Sequence, residues 1–256
     1  MKIGRGVAKA IRFGMRKMEV FPPFRTMRTD MFMEGNKSFR APTIKLTGKQ
    51  IWYLGVNPRH FKQGLKASFL PQVEFAECCR AKGYSDRTSI MGFYPVAEQA
   101  EMRDVVLGER DHLSAQSRRI VLPRAFDENA FTHEVLHDIF LGCFDAARRM
   151  SFYKCIAAWF VRVRDQGLRP EEEAFYHEVN RRAAEPYPLE QVRGKNAGAS
   201  IRDGLFSSQF MHFAGECFAY GGELLIHGSD AEYLGRLPQE IRTYFKLQKI
   251  VPRMFF

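Results

Sequence analysis

No stretch of the 256-residue chain reaches the roughly 18–20 consecutive apolar residues of a membrane-spanning helix. The longest candidate, around residues 155–160, is far shorter, which excludes helical membrane spans. No two of the five cysteines (Cys78, Cys79, Cys143, Cys155 and Cys217) form a CxxC pair, so neither a zinc ribbon nor a thioredoxin-type redox site is indicated. Their odd number, in a chain that is 45% hydrophobic, predicts free thiols in a reducing compartment, cytoplasmic or virion-associated. Residues 2–18 lack the continuous apolar core of a secretory signal peptide. They also lack acids, as organellar transit peptides do, but they are poor in serine. Internal repeats and low-complexity tracts are absent.

Acidic residues are scarce where basic ones are dense. Residues 1–70 hold 15 Lys and Arg against only Glu19, Asp30 and Glu34, a balance of +12. The remaining 24 basic and 26 acidic residues leave that part at −2, so the whole formal charge of +10 belongs to the first quarter. A near-neutral body behind a cationic segment meets polyanions through that segment: nucleic acid, an anionic lipid surface or an acidic protein face. Pro22-Pro23 interrupts it, and Phe13, Phe21, Phe24, Phe32 and Phe39 alternate with its cations. Such aromatics stack on bases or anchor the segment to its own body or to a neighbouring subunit. The chain is therefore divided into a basic arm, residues 1–40, and a domain, residues 41–256.

What is present beyond the arm reads first as short strands, then as helices. Alternation at Ile44 and Leu46, a turn at Gly48-Lys49 and the run Ile51-Trp52-Tyr53-Leu54 predict a hairpin over residues 43–54. A helix is expected over 69–82, ended by Gly83, with strands at 88–94 and 118–123. Asp127 is placed to cap a helix reaching Gly142, a second helix covers 145–166 and stops at Gly167, and a third starts behind Pro170 and runs to about residue 184. Residues 185–204, rich in Gly and Pro, read as a loop before two further helices over 205–226 and 230–249. The fold class is α+β, a small N-terminal sheet followed by a mainly helical C-terminal half.

One segment carries chemistry. Thr132-His133-Glu134-Val135-Leu136-His137 contains HExxH. On a helix, positions i and i+4 share a face, so His133 and His137 can direct ring nitrogens at one metal ion. Glu134 can then reach water at that ion without being a ligand, which supplies two ligands and a general base within five residues.

With the strand Arg119-Ile120-Val121-Leu122-Pro123 before it, this segment resembles the edge strand and active-site helix of the zincin metallopeptidases. Residues 138–149 contain Gly142 but no histidine, unlike the metzincin branch. The similarity to the gluzincin branch implies a third ligand from a later helix, and Glu216 in Phe213-Ala214-Gly215-Glu216-Cys217-Phe218-Ala219-Tyr220 matches its E-x-F-A pattern. The 79 residues from His137 to Glu216 are more than many such families have. His212, one turn earlier, and His177 are the other candidates. The resemblance further implies a zinc ion held by His133, His137 and Glu216, Glu134 as general base and Tyr220 as oxyanion donor. Asp138 and Asp145 would be acceptors that orient the imidazoles.

The implied function is zinc-dependent hydrolysis of peptide bonds in a peptide or protein substrate, with residues 1–40 docking a polyanionic or protein partner. Two rivals stand beside it. One is a structural or assembly subunit of a virion or large complex, with an inactive zincin-like domain; the charge division favours it over a free protease. The other is a di-iron protein, since Glu134-Val135-Leu136-His137 also spells Glu-x-x-His. The later helices supply no second copy of that motif.

Overall fold

The computed structural model describes residues 20–84, 92–93, 101, 104–105, 109–114, 117–183, 186–188, 207–228 and 235–252. Within them the chain is mixed α+β. Four strands, β1 (Arg28–Glu34), β2 (Lys37–Lys45), β3 (Lys66–Leu70) and β4 (Arg119–Pro123), form one sheet in the order β1-β2-β3-β4. The first three are antiparallel neighbours, whereas β4 runs parallel to β3 with Ala67 opposite Ile120.

The seven α-helices among the described residues are α1 (Gly48–Tyr53), α2 (Gln72–Ala81), α3 (Glu128–Asp138), α4 (Ala146–Gln166), α5 (Pro170–Arg182), α6 (Ser208–His227) and α7 (Gln239–Gln248). None is long and apolar enough to cross a membrane. The five cysteines are unbonded.

Side chains of β3 and β4 alternate between two apolar layers, so both strands are buried on both faces. Leu70 and Val121 meet Phe32, Phe39 and the buried side of α2 (Phe75, Cys78). Ala67, Phe69, Ile120 and Leu122 face the larger core built by α3, α4, α6 and α7. There α4 presents Phe152, Ile156, Trp159, Phe160 and Val163 at helical spacing, and Phe218 of α6 lies within 5.0–5.4 Å of the rings of Phe140, Phe144, Phe152 and Phe245. Gly222 lets α6 approach α3, since a Cβ there would lie 2.6 Å from Leu136 Cδ1.

Several expectations change against this architecture. The expected boundary at residue 40 falls inside β2, and residues 28–40 are sheet rather than an external arm. Hydrophobic burial explains this: Phe21 packs against Tyr53, Phe126 and Phe131, Phe24 against Phe69, and Phe32 stacks on Phe39. Residues 1–19 of that arm, Phe13 included, lie outside the described residues. The hairpin expected over 43–54 is instead the end of β2 followed by α1. Thr47 and Gln50 form a capping box there, and helix burial of Ile51 and Tyr53 overrides their strand preference.

The helix expected from residue 69 begins only at Gln72, because β3 claims the chain up to Leu70 and Pro71 follows it. Ser68, at the middle of that strand, pairs with Thr43 on one side and Val121 on the other. Of the strand expected at 88–94, residues 88–91 and 94 lie outside the described residues, and Phe93 bridges Val121. The loop expected at 185–204 also lies outside them, apart from residues 186–188.

Candidate metal centre

The helix that carries HExxH starts where Asp127 accepts a hydrogen bond from Asn129 N–H. After Asp138 it continues as one π-helical turn, Ile139–Cys143, instead of the regular helix expected to Gly142. It lies against α6, and a polar seam runs between two otherwise apolar surfaces. Thr132 meets His227 at 3.0 Å, His133 meets Glu223 at 3.1 Å, and both His133 and His137 meet Glu216. The order reverses along the two chains, as antiparallel packing requires.

At the centre of this seam three groups converge. His133 Nε2 lies 3.1 Å from His137 Nε2 and 3.2 Å from Glu216 Oε2, and His137 Nε2 lies 3.3 Å from Glu216 Oε1. Ligand atoms of the three residues fall within 4.8 Å of one another, the only such grouping among the described residues. Bonds of about 2.0–2.2 Å at tetrahedral angles put neighbouring zinc ligands roughly 3.4 Å apart, so the spacing fits. Glu216 Oε2 is buried and makes no hydrogen bond, and imidazole with carboxylate is a donor set that suits zinc.

Glu223 fixes the role of His133. Its Oε2 takes the Nδ1–H of His133, which leaves the Nε2 lone pair for the convergence point. Arg182 Nη1 donates to the same oxygen at 2.9 Å, and Glu178 accepts from Arg182 Nε at 2.7 Å. Burial opposes protonation of His133, but its close contacts with Glu216 and Glu223 and their charges outweigh it and raise its pKa to about 10. Burial also opposes ionisation of Glu216, yet the two histidines hold its carboxyl far below the usual range. Glu134 is 7% exposed; burial, helped by the charge of Glu216, raises its pKa against the pull of His137, His133 and Lys82.

Neither rival ligand joins the grouping. His177 is exposed beside Glu173 at 3.8 Å, and His212 is not part of the grouping. Tyr220 stacks on Phe175 at 5.4 Å, with the Arg182 guanidinium 4.5 Å from its ring centroid. Asp138, expected to orient an imidazole, is gripped by Arg118, which donates to both of its oxygens at 2.7 Å. Asp145 instead caps α4 by accepting from Arg148 N–H. Sequence reasoning missed Glu223, although its spacing of seven from Glu216, inside an apolar helix, marks the same face.

No protein-family profile, no curated protein and no solved structure matches the chain.

Proposed function

We propose that the chain is a zinc-dependent hydrolase of peptide bonds, built on a zincin-like domain. The convergence of His133, His137 and Glu216 on one point, with Glu134 buried beside them, carries this reading. His133, His137 and Glu216 would hold the ion. Bound there, zinc would polarise a carbonyl and lower the pKa of water towards neutrality. Glu134 accepts the proton of the attacking water and returns it to the leaving amine, a task for which a raised carboxyl pKa is suited. Glu223, steadied by Arg182, keeps the His133 ring in register. The free thiols support a reducing compartment.

The test combines metal analysis with a peptide-library digest. One zinc per chain and cleavage that Glu134→Gln abolishes, with zinc retained, are expected. Absence of bound zinc overturns the reading. Zinc without cleavage in the unaltered protein favours the structural or assembly subunit, whose polyanionic or protein partner the N-terminal charge would attract.

A further inference from the structure

We propose that the end of the helical core where α4 begins and α7 finishes is a docking face for a bilayer rich in anionic lipid. The inference does not depend on the zinc reading, and it concerns a surface outside the arm of residues 1–40. Arg162 of α4 donates to Glu240 of α7 at 2.7 Å, and Tyr244 of α7 donates to Arg148 O at 3.0 Å. The two helices therefore run antiparallel, with the first turn of α4 beside the last turn of α7. Residues 57–62 close this end. Asn57 Nδ2 donates to Lys249 O at 3.0 Å and Arg59 Nη2 to Gln248 O at 2.6 Å, while the rings of His60 and Phe144 lie 6.1 Å apart. The Arg148 guanidinium sits 5.8 Å from the centroid of the same Phe144 ring, and Lys62 N–H donates to the adjacent Cys143 Sγ at 3.3 Å.

Cations from separate stretches of the chain meet at this end. Arg59, Lys62, Arg148, Lys246 and Lys249 are all exposed, and none pairs with a carboxylate among the described residues. Of the acids on these two helices, Asp145 caps α4 and Glu240, at the far end of α7, is held by Arg162. His60 accepts a hydrogen bond from Arg59 Nε at 2.9 Å, and after burial the charges of Arg59 and Arg148 lower its pKa, as positive potential requires. Leu247 decides which polyanion fits. It is 72% exposed between Lys246 and Lys249, in the last turn of α7. The start of α1 abuts the same segment, since a Cβ on Gly48 would lie 3.5 Å from Pro58 Cβ, and one turn later α1 carries Trp52, 37% exposed. The phosphates of a polynucleotide would engage the cations and leave Leu247 in water. An anionic bilayer engages both, with the cations among headgroups and the leucine and tryptophan at the acyl boundary.

Sedimentation of the full chain with vesicles of phosphatidylserine and phosphatidylcholine tests this, beside vesicles of phosphatidylcholine alone and a single-stranded oligonucleotide. The unaltered protein should bind the mixed vesicles and bind phosphatidylcholine far more weakly. Lys246→Ser with Lys249→Asn, the second chosen because Asn tolerates the left-handed backbone at φ 52°, should weaken binding about fivefold per cation, or about 25-fold together. Leu247→Ser should weaken it about tenfold, by a factor that added salt does not change. Urea midpoints equal to that of the unaltered protein verify that these surface variants fold. A reading that needs no variant is the emission of Trp52, which should shift to the blue on mixed vesicles while the fully buried Trp159 gives a constant background. No binding to mixed vesicles, no shift, or equal binding by either variant overturns the inference. An oligonucleotide bound more tightly than the vesicles, with Leu247→Ser as tight as the unaltered protein, overturns it in favour of nucleic acid.

Discussion

Replacing Arg118 by methionine should unfold the protein far more readily, for a reason visible at the end of α3. Arg118 and Asp138 have side chains only 4% and 0% exposed, and two 2.7 Å hydrogen bonds join them in parallel. The same guanidinium donates to Lys62 O at 2.8 Å and Gln63 O at 3.1 Å, so it ties the start of β4 to the segment before β3. Methionine fills much of the space but takes two charged donors from a buried carboxylate and one donor each from two carbonyls. Breaking a buried pair from one side costs about 3–5 kcal/mol, a large part of the roughly 5–15 kcal/mol that holds a domain together. Urea denaturation of the single and double variants measures it. Arg118→Met with Asp138→Leu should recover much of the loss, because neither charge is then left alone. A single-variant cost below about 1 kcal/mol, or a double-variant cost equal to the sum of the singles, would refute the reasoning.

Glu223→Ala should weaken zinc binding about 10- to 100-fold with the fold retained, because the His133 ring loses the acceptor that orients it; competition with a chelator measures this, and unchanged affinity removes Glu223 from the centre. His60 supplies a pH dependence. Burial, then the charges of Arg59 and Arg148, lower its pKa to about 4, against about 6.5 in the unfolded chain. Between these values the unfolded state binds a proton that the folded state refuses, so the contribution of His60 is present above pH about 6.5 and is lost as pH falls towards 4. Urea midpoints should therefore fall more steeply over that window in the unaltered protein than in His60→Gln, and parallel profiles would contradict the assignment.

Features set by neighbours in sequence were legible. Asp127 and Asp145 cap their helices, Gly83 and Gly167 end theirs with positive φ, and HExxH places two imidazoles on one face. Features set by distant partners were not. The charge of residues 28–40 obscured a hairpin whose two-residue turn, Gly35-Asn36, is a recognised signal, because charge describes the exposed positions while Phe32 and Phe39 decide the fold. Tyr220 has the right spacing from Glu216, but its packing on Phe175 and on the Arg182 that holds Glu223 leaves no local signal.

The charge balance of the seam separates it from the structural ion pairs. Arg118 and Asp138, one cation and one anion, neutralise one another. Between α3 and α6, two carboxylates, Glu216 and Glu223, share two imidazoles and the guanidinium of Arg182, which Glu178 also holds, in an otherwise apolar core. Apolar residues would pack there at lower cost, since burying charge is repaid only by well-placed opposite charge. The raised pKa of His133 expresses that surplus of negative charge as affinity for a proton. A dication at the convergence point would satisfy the same surplus more fully, and would also engage Glu216 Oε2, which makes no hydrogen bond although it lies 3.2 Å from His133 Nε2. The arrangement is therefore costly as packing and coherent as a cation site, which is the expected signature of residues placed for chemistry rather than stability.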